Sequence, residues 1–335
     1  MISVVLCTRN GAEYVGQQVQ SILNQDPEPG ELVLGDDASQ DGTVGIVEDL
    51  VERKRASDGG VAFVLLRHDP ALGIVANFAD ALQHARGDLI ALSDQDDVWH
   101  PGKLRAVEAA FDADPSLLLV HSDARLVDAA GAPIGMTLLE ALEATEGERS
   151  GLERGDAFST LLRRNLVTGA TAVLRRELLA MAAPFPPGWV HDEWLAAIAA
   201  AVGTVRLIPD QLIDYRQHGA NQIGARRPGM RDRWAKLREP REPRASRMVA
   251  RSAALVAALE RLGDSVPPEH LSGARAALEH ETRRQSLPRI RIARVPRVVA
   301  AAARGEYARY SRGGIDVLRD LVQPAAPRAA ATLDM

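Results

Sequence analysis

The sequence predicts an α/β protein: a mostly parallel sheet flanked by helices, continued by a helical C-terminal extension. Three observations carry this. Strand-length apolar runs alternate four times with helix-length segments between residues 2 and 113, on connections short enough for right-handed crossovers. The charge changes sign along the chain: residues 1–225 hold 17 Lys+Arg against 33 Asp+Glu, and residues 226–335 hold 23 against 12. After Gly224 the composition turns to Arg and Ala, interrupted by Pro228, Pro240 and Pro243. We therefore expect an α/β domain over 1–224, a basic helical extension over 225–323 and a disordered tail over 324–335.

The elements follow in order. Residues 2–7 read as a buried strand, and Thr8-Arg9-Asn10-Gly11 as a polar turn. A helix over 12–24 places Val15, Val19, Ile22 and Leu23 on one face. Strand 32–34 ends at Asp36-Asp37, and Asp41 or Thr43 caps a helix running to about residue 55. Strand 61–66, a helix to residue 85 and strand 89–92 complete the alternation. Beyond it we expect a helix from Pro101 to 113, a strand over 117–120 and a turn over 128–132. Residues 138–150 read as a mobile loop or short helix, and 156–164 as helical. A strand over 169–174 precedes a helix over 175–183 that Pro184 breaks. A helix over 191–202, a strand over 204–208 and a strand or loop over 210–219 close the domain. Helices are expected at 245–262, 268–284 and 296–322.

Composition narrows the classes. The chain of 335 residues holds one large or two ordinary domains, and with 4% aromatic residues its core is Ala, Leu and Val. The single Cys7 excludes an intrachain disulfide framework and a Cys-based zinc site. The sequence enters a strand directly, so we expect no signal peptide. No run approaches 18 apolar residues, so we expect no membrane-spanning helix. A cytoplasmic protein is the expectation. Neither a G-x-G-x-x-G turn nor a G-x-x-x-x-G-K-[ST] loop is present.

The densest chemistry lies at Ser93-Asp94-Gln95-Asp96-Asp97-Val98-Trp99, directly after an apolar strand. Two carboxylates about 4 Å apart repel by roughly 4 kcal/mol near a protein surface. Protonation, water or a cation must offset that. Hard ions such as Mg²⁺ and Mn²⁺ prefer carboxylate oxygens and complete their shell with phosphates. Open α/β sheets place ligands at such strand ends. The alternative is a solvated acidic turn. Asp36-Asp37-Ala38-Ser39-Gln40-Asp41-Gly42-Thr43 is a second acidic strand end. Its carboxylates suit a base or ribose, or local Asx turns.

Taken with Val4-Val5-Leu6-Cys7-Thr8-Arg9-Asn10-Gly11, these blocks resemble family 2 glycosyltransferases of the GT-A fold. The Ser-Asp-Gln-Asp-Asp-Val-Trp form resembles rhamnosyltransferase-like members. The resemblance covers roughly residues 2–224. It implies that Asp37 reads a pyrimidine base beside the Thr8, Arg9 and Asn10 loop. It implies that Asp94 and Asp96 form a D-x-D motif contacting ribose and a diphosphate-bound Mg²⁺ or Mn²⁺, with Asp97 adjoining. In His191-Asp192-Glu193-Trp194, Asp192 is the implied catalytic base. Tyr215-Arg216-Gln217-His218-Gly219-Ala220-Asn221 matches a terminal motif. The Q-x-x-R-W motif of processive synthases is absent, which implies single-sugar addition.

Each residue has a plainer reading. Asp192 would serve as an N-cap. His218 is a metal ligand, a hydrogen-bond partner of a phosphate, or a surface residue. Arg216 neutralises a diphosphate or makes a surface ion pair. Gly169 lies on the acceptor side or permits a tight turn. The basic C-terminal third lies on anionic lipid, or is a solvated bundle or an oligomer interface. No nucleic-acid motif accompanies it.

The expected function is an inverting, metal-dependent glycosyltransferase. It takes a dTDP- or UDP-sugar donor and a saccharide or lipid-linked acceptor of the bacterial surface, at the inner membrane face. The alternatives are a sugar-phosphate nucleotidyltransferase, which should show a Gly-rich, basic signature after the first strand, and a non-catalytic nucleotide- or carbohydrate-binding protein.

Overall fold

The run Ile2–Thr8 forms strand β1, with every residue buried. Near-continuous apolar strands of this kind are covered on both faces by helices. The computed structural model describes residues 1–58, 60–219, 235 and 237–325. Two compact units result: Met1–Leu161 with Asn165–Arg227, and Leu162–Arg164 with Pro228–Met335.

In the first unit, β2 (Glu31–Asp36) and β4 (Leu89–Ser93) flank β1, and β3 (Ala62–Arg67) lies outside β2, all parallel. Helices α1 (Val15–Leu23), α2 (Thr43–Asp58) and α3 (Ile74–His84) make the crossovers. Val15, Val19, Ile22 and Leu23 are the buried apolar residues of α1, as their spacing requires. The chain moves outward from β1 to β3, then returns to β4 on the other side of β1. That reversal opens a crevice at the carboxyl ends of β1 and β4. Register sets Thr8 beside Asp36, and Ser93 beside Leu6.

The later strands make the sheet mixed. After β5 (Val98–Trp99) and α4 (Lys103–Ala113) come β6 (Leu117–Val127) and β7 (Pro133–Thr137). Short helices α5 (Leu138–Ala141), α6 (Glu146–Glu153) and α7 (Phe158–Arg163) follow, then β8 (Ala172–Arg175), α8 (Leu178–Ala182), α9 (His191–Val202) and β9 (Thr204–Arg216). The order is β3-β2-β1-β4-β8-β6-β9-β5, with β7 on β6. β8 runs antiparallel to β4 and β6, and β5 antiparallel to β9, while β6 and β9 are parallel. The parallel half is the part that the alternation predicted.

Four expectations change in detail. Residues 138–150 hold two helices, each opened by a capping box: Thr137 with Glu140, and Thr145 with Glu148. That T-x-x-E spacing is a readable start signal. Strand 117–120 extends to Val127, and the helix at 175–183 shrinks to Leu178–Ala182. The 204–216 stretch is one strand. The domain boundary at 224 and residues 326–335 of the tail lie outside the described residues.

The second unit packs α10 (Arg241–Leu262) against α11 (Pro268–Gln285). The expected helix over 296–322 is three: α12 (Val295–Ala303), α13 (Glu306–Tyr310) and α14 (Gly314–Val322). Gly305 and Gly313 break it, with φ of 75° and 60°. Its interior is charged. Arg284 donates to Glu281 and Asp320, and Arg244 and Arg319 donate to Asp316.

Burial alone would raise the Asp316 carboxyl, but Arg284 and Arg244 outweigh burial and pull its pKa down to about 2. An unfolded Asp titrates near 3.9. The folded value is the lower one, so the stabilisation is present above about pH 4 and lost as pH falls toward 2. It amounts to about 2 kcal/mol. Asp316→Asn is expected to lower the melting temperature of the chain at pH 7 and leave it nearly unchanged at pH 2. Equal losses at both would assign the effect to neutral hydrogen bonding.

Candidate active site

The three motif blocks dock on one another at the crevice. The Thr8 hydroxyl donates to Asp36 (2.8 Å), and the Asp37 N–H donates to the Thr8 carbonyl (2.8 Å). The chain then turns through Asn10, with φ 49°. Backbone N–H groups of this turn are received by side chains of the other blocks. Arg9 donates to Gln95 (2.8 Å), Asn10 to Ser39 (2.9 Å), Gly11 to Thr43 (2.8 Å) and Ala12 to Asp41 (3.2 Å). Gln95 Nε2 returns a bond to the Arg9 carbonyl (3.2 Å). Gly11 faces Gln95 so closely that a Cβ there would collide with it.

Asp37 is buried, and its two oxygens accept the N–H groups of Leu72 (2.6 Å) and Gly73 (3.0 Å). Arg9 Nη1 stands 3.7 Å away. The carboxylate therefore fixes the loop before α3 while lining the cleft.

The acidic run divides in two. Asp94 and Asp96 line the cleft. Asp96 Oδ2 lies 2.7 Å from His218 Nε2, and the His218 ring stacks on Tyr14 at 4.8 Å. Asp94 opens into the cleft at one side and is otherwise enclosed. Desolvation, with the Asp96 and Asp192 carboxylates adding to it, pushes its pKa up to about 7 against the pull of Lys103. Asp97 is placed elsewhere. The pairing of Val98 with Asp214 sets it beneath β9, where it accepts the Arg216 N–H (3.0 Å) and keeps a buried, unpaired Oδ2. Burial first, then Asp96 and Asp94, raise its pKa well above the carboxylate range.

Arg216 is likewise structural in placement. It is 3% exposed, and its guanidinium donates to the Asp96 and Ala129 carbonyls and to Gln17. From the end of β9 the side chain lies over the Tyr14 ring at 4.9 Å, so its contacts are with the scaffold. Neither Asp97 nor Arg216 lines the cleft.

Asp192 enters from the opposite wall. It lies in the first turn of α9, one residue past its start, and the N-cap is Val190. Its Oδ2 accepts the Gly169 N–H (2.8 Å) and its Oδ1 the Glu193 N–H (2.6 Å). A Cβ on Gly169 would sit 3.2 Å from His191 Nε2, a tight contact from which the ring would have to shift slightly. His191 is buried and stacks on Phe78 at 3.9 Å, and burial pushes its pKa down to about 3. It is therefore a neutral imidazole in the cleft wall.

Lys103 went unremarked in the sequence, although it follows the acidic run by six residues. It is fully buried, donates to the Ala170 carbonyl (3.0 Å) and lies over the Trp99 ring at 3.8 Å. Burial pushes its pKa down to about 7, opposed by Asp97 and Asp94. It thus joins the acidic cluster to the segment that holds Asp192. Gln95 and Tyr14 were also missed. For Gln95 the available signal was a polar residue inside a motif loop; Tyr14 lies outside the motif blocks.

The cleft holds about 370 Å³. Thr8, Arg9, Asn10, Asp37, Asp94, Asp96, Asp192 and His218 all line it. Among the described residues no three His, Cys, Asp or Glu side chains are grouped so as to hold a metal ion by themselves. The two cleft carboxylates, Asp94 and Asp96, could still serve a hard divalent ion that takes one or two carboxylates and draws its remaining ligands from a diphosphate, while His218 hydrogen-bonds to Asp96 beside them. Ala220 and Asn221 of the terminal motif lie outside the described residues.

Comparison with known proteins bears on this geometry. The family model described as glycosyl transferase family 2 matches residues 3–179. The putative teichuronic acid biosynthesis glycosyltransferase TuaG of Bacillus subtilis is 30% identical over 104 residues, 31% of this chain and 39% of that protein. The chain spans 59% of the length of an uncharacterized Mycobacterium tuberculosis protein, 26% identical over 220 residues and matching 65% of this chain. The structure of S. aureus TarS 1-349 in complex with UDP-GlcNAc superposes with TM-score 0.58 at 17% identity, over 84% of this chain and 72% of that one. That of the mannosyltransferase PcManGT from Pyrobaculum calidifontis, with GDP-Man and Mn²⁺, gives 0.52 at 22% identity, over 96% and 84%. These likenesses show the expected GT-A fold.

Proposed function

The chain belongs to glycosyl transferase family 2, and on that premise we propose that it transfers one sugar, with inversion, from a nucleoside-diphosphate sugar to an acceptor hydroxyl. The observation that carries this reading is the convergence, in one cleft, of Asp94, Asp96 and His218 on one side and Asp192 on the other. A donor lies with its nucleoside on the Thr8–Asn10 loop and Asp37. Its diphosphate lies at Asp94 and Asp96. The solved neighbours that hold UDP-GlcNAc, or GDP-Man with Mn²⁺, support a nucleotide-sugar donor and a divalent ion.

Asp192 accepts the acceptor's hydroxyl proton as the oxygen attacks the anomeric carbon from the face opposite the leaving diphosphate. Its two backbone donors, from Gly169 and Glu193, hold the carboxylate in place. Mg²⁺ or Mn²⁺ held by Asp94, Asp96 and His218 would supply positive charge to the departing diphosphate. The resemblance to rhamnosyltransferase-like members favours dTDP-rhamnose or a UDP-sugar as donor. The relationship to TuaG favours a cell-surface saccharide, or its lipid-linked precursor, as acceptor. Work at the inner membrane face follows from such an acceptor. The nucleotidyltransferase alternative loses its support with family membership.

Thermal stabilisation across dTDP, UDP, GDP and CMP, with and without Mn²⁺ or Mg²⁺, tests the donor site. Ligand at 100 times Kd should add about 2.7 kcal/mol. The expected result is a metal-dependent shift with dTDP or UDP, lost in Asp96→Ala. Absence of a shift with all four nucleotides would remove the donor reading.

A further inference from the structure

Among the described residues ten large apolar side chains are exposed, and seven of them lie between residues 290 and 322. Ile290, Ile292, Val295 and Val299 are 69%, 80%, 42% and 55% exposed. They sit on the segment leading into α12 and on α12 itself. On α14, Ile315, Leu318 and Val322 are 46%, 49% and 38% exposed. Their i, i+3, i+7 spacing makes one stripe along that helix.

α14 is inverted relative to an ordinary surface helix. Its carboxylates Asp316 and Asp320 are buried, bound by Arg284, Arg244, Arg319 and the Tyr307 hydroxyl. The side left to solvent is apolar, against the usual arrangement. The α12 segment has the matching charge pattern. Residues 283–305 contain seven arginines and no Asp or Glu. Arg289, Arg291 and Arg297 are exposed between the apolar residues. Glu242 comes within 3.9 Å of Arg289, while no salt bridge among the described residues neutralises Arg291 or Arg297.

The segment is held in shape. Arg294 is fully buried and donates to the carbonyls of Pro288, Arg289, Asp320 and Gln323. It fastens the approach to α12 onto the end of α14, over a small core of Leu287, Val298 and Tyr307. Apolar side chains interleaved with arginine therefore project from an ordered platform.

We propose that this surface docks the protein peripherally on an anionic lipid bilayer, with the apolar side chains entering the headgroup boundary and the arginines meeting lipid phosphates. The attachment proposed is interfacial; no helix among the described residues is long and apolar enough to cross a membrane. Charge favours lipid over a second copy of the chain. A two-fold contact sets the same patch against itself, which would press unneutralised arginines together. The inference is independent of the transferase reading.

Flotation of the full chain with phosphatidylcholine vesicles, with and without phosphatidylglycerol, tests it. Binding is expected only with the anionic lipid. Arg291→Gln with Arg297→Gln should weaken it about fivefold per charge. Ile292→Ser, Val299→Ser and Leu318→Ser together should weaken it by about tenfold or more. Ile134→Ser, exposed but outside this surface, should change nothing, and equal melting temperatures exclude misfolding. No flotation with anionic vesicles, or flotation indifferent to the triple substitution, overturns the proposal. So does a dimer in sedimentation velocity that the triple substitution dissociates while the parent chain does not float.

Discussion

Asp192→Asn is expected to lower the transfer rate by roughly 10³-fold, within the range that loss of a positioned base costs, and to leave nucleotide binding intact. The amide keeps the size of the side chain but cannot take a proton from the acceptor hydroxyl. One of its ends must also face a backbone N–H, because both carboxylate oxygens accept from Gly169 and Glu193. A purely structural role would therefore show as a lower melting temperature and a weakened nucleotide shift, with transfer reduced in proportion. A base role shows as a fall in kcat with the UDP- or dTDP-induced shift unchanged. The pH profile separates the two again, since the variant should lose the rise in rate that follows deprotonation of the base. Transfer within tenfold of the parent chain would remove Asp192 from that role.

How far the sequence alone reaches is clearest around this residue. The strands β1, β2 and β4 were legible as apolar runs, and the acidic ends of β2 and β4 as places of note that the fold brings to one cleft, because burial and charge leave local marks. Asp192 was legible only through the resemblance of its motif, since an Asp near a helix start has a plainer use. The structure places it two residues past the cap position, which Val190 holds. Asp97 and Arg216 show the opposite limit. Both belong to motif blocks, and both are turned inward by the pairing of β5 with β9, a contact between residues more than a hundred positions apart. Lys103 and Gln95 act through similar long-range contacts, to Ala170 and Arg9. The antiparallel β8 was equally hidden, because a strand's direction depends on its neighbours and not on its own residues. The two Thr-Glu capping boxes were the reverse case, local signals present in the sequence and passed over.

The second large effect is expected far from the cleft. Arg284→Met should destabilise the second unit by about 4 kcal/mol, as removal of one partner from a buried charge cluster does. Arg284 is 5% exposed and faces three carboxylates, of Glu281, Asp320 and Asp316, at 2.8, 2.7 and 3.7 Å. Burial acts to lower its pKa, but Glu281 and Asp320 hold it above the ordinary arginine value. Methionine fills the space and leaves the carboxylates with fewer cations. They must then protonate or draw in water. Amide hydrogen exchange of the full chain reads this locally. Peptides of α11 and α14 should exchange up to about 10³-fold faster at pH 7, while those of β1, β2 and β4 stay protected. The deficit should shrink as pH falls below 4, because protonated carboxyls no longer need the guanidinium. If exchange in α14 is unchanged, Arg244 and Arg319 suffice, and the inward pull on Asp316 and Asp320 does not depend on Arg284. If it rises as expected, the same ion cluster that holds the unit together also keeps the polar side of α14 inside and its apolar stripe outside. The variant should then lose anionic-vesicle binding in step with its loss of protection.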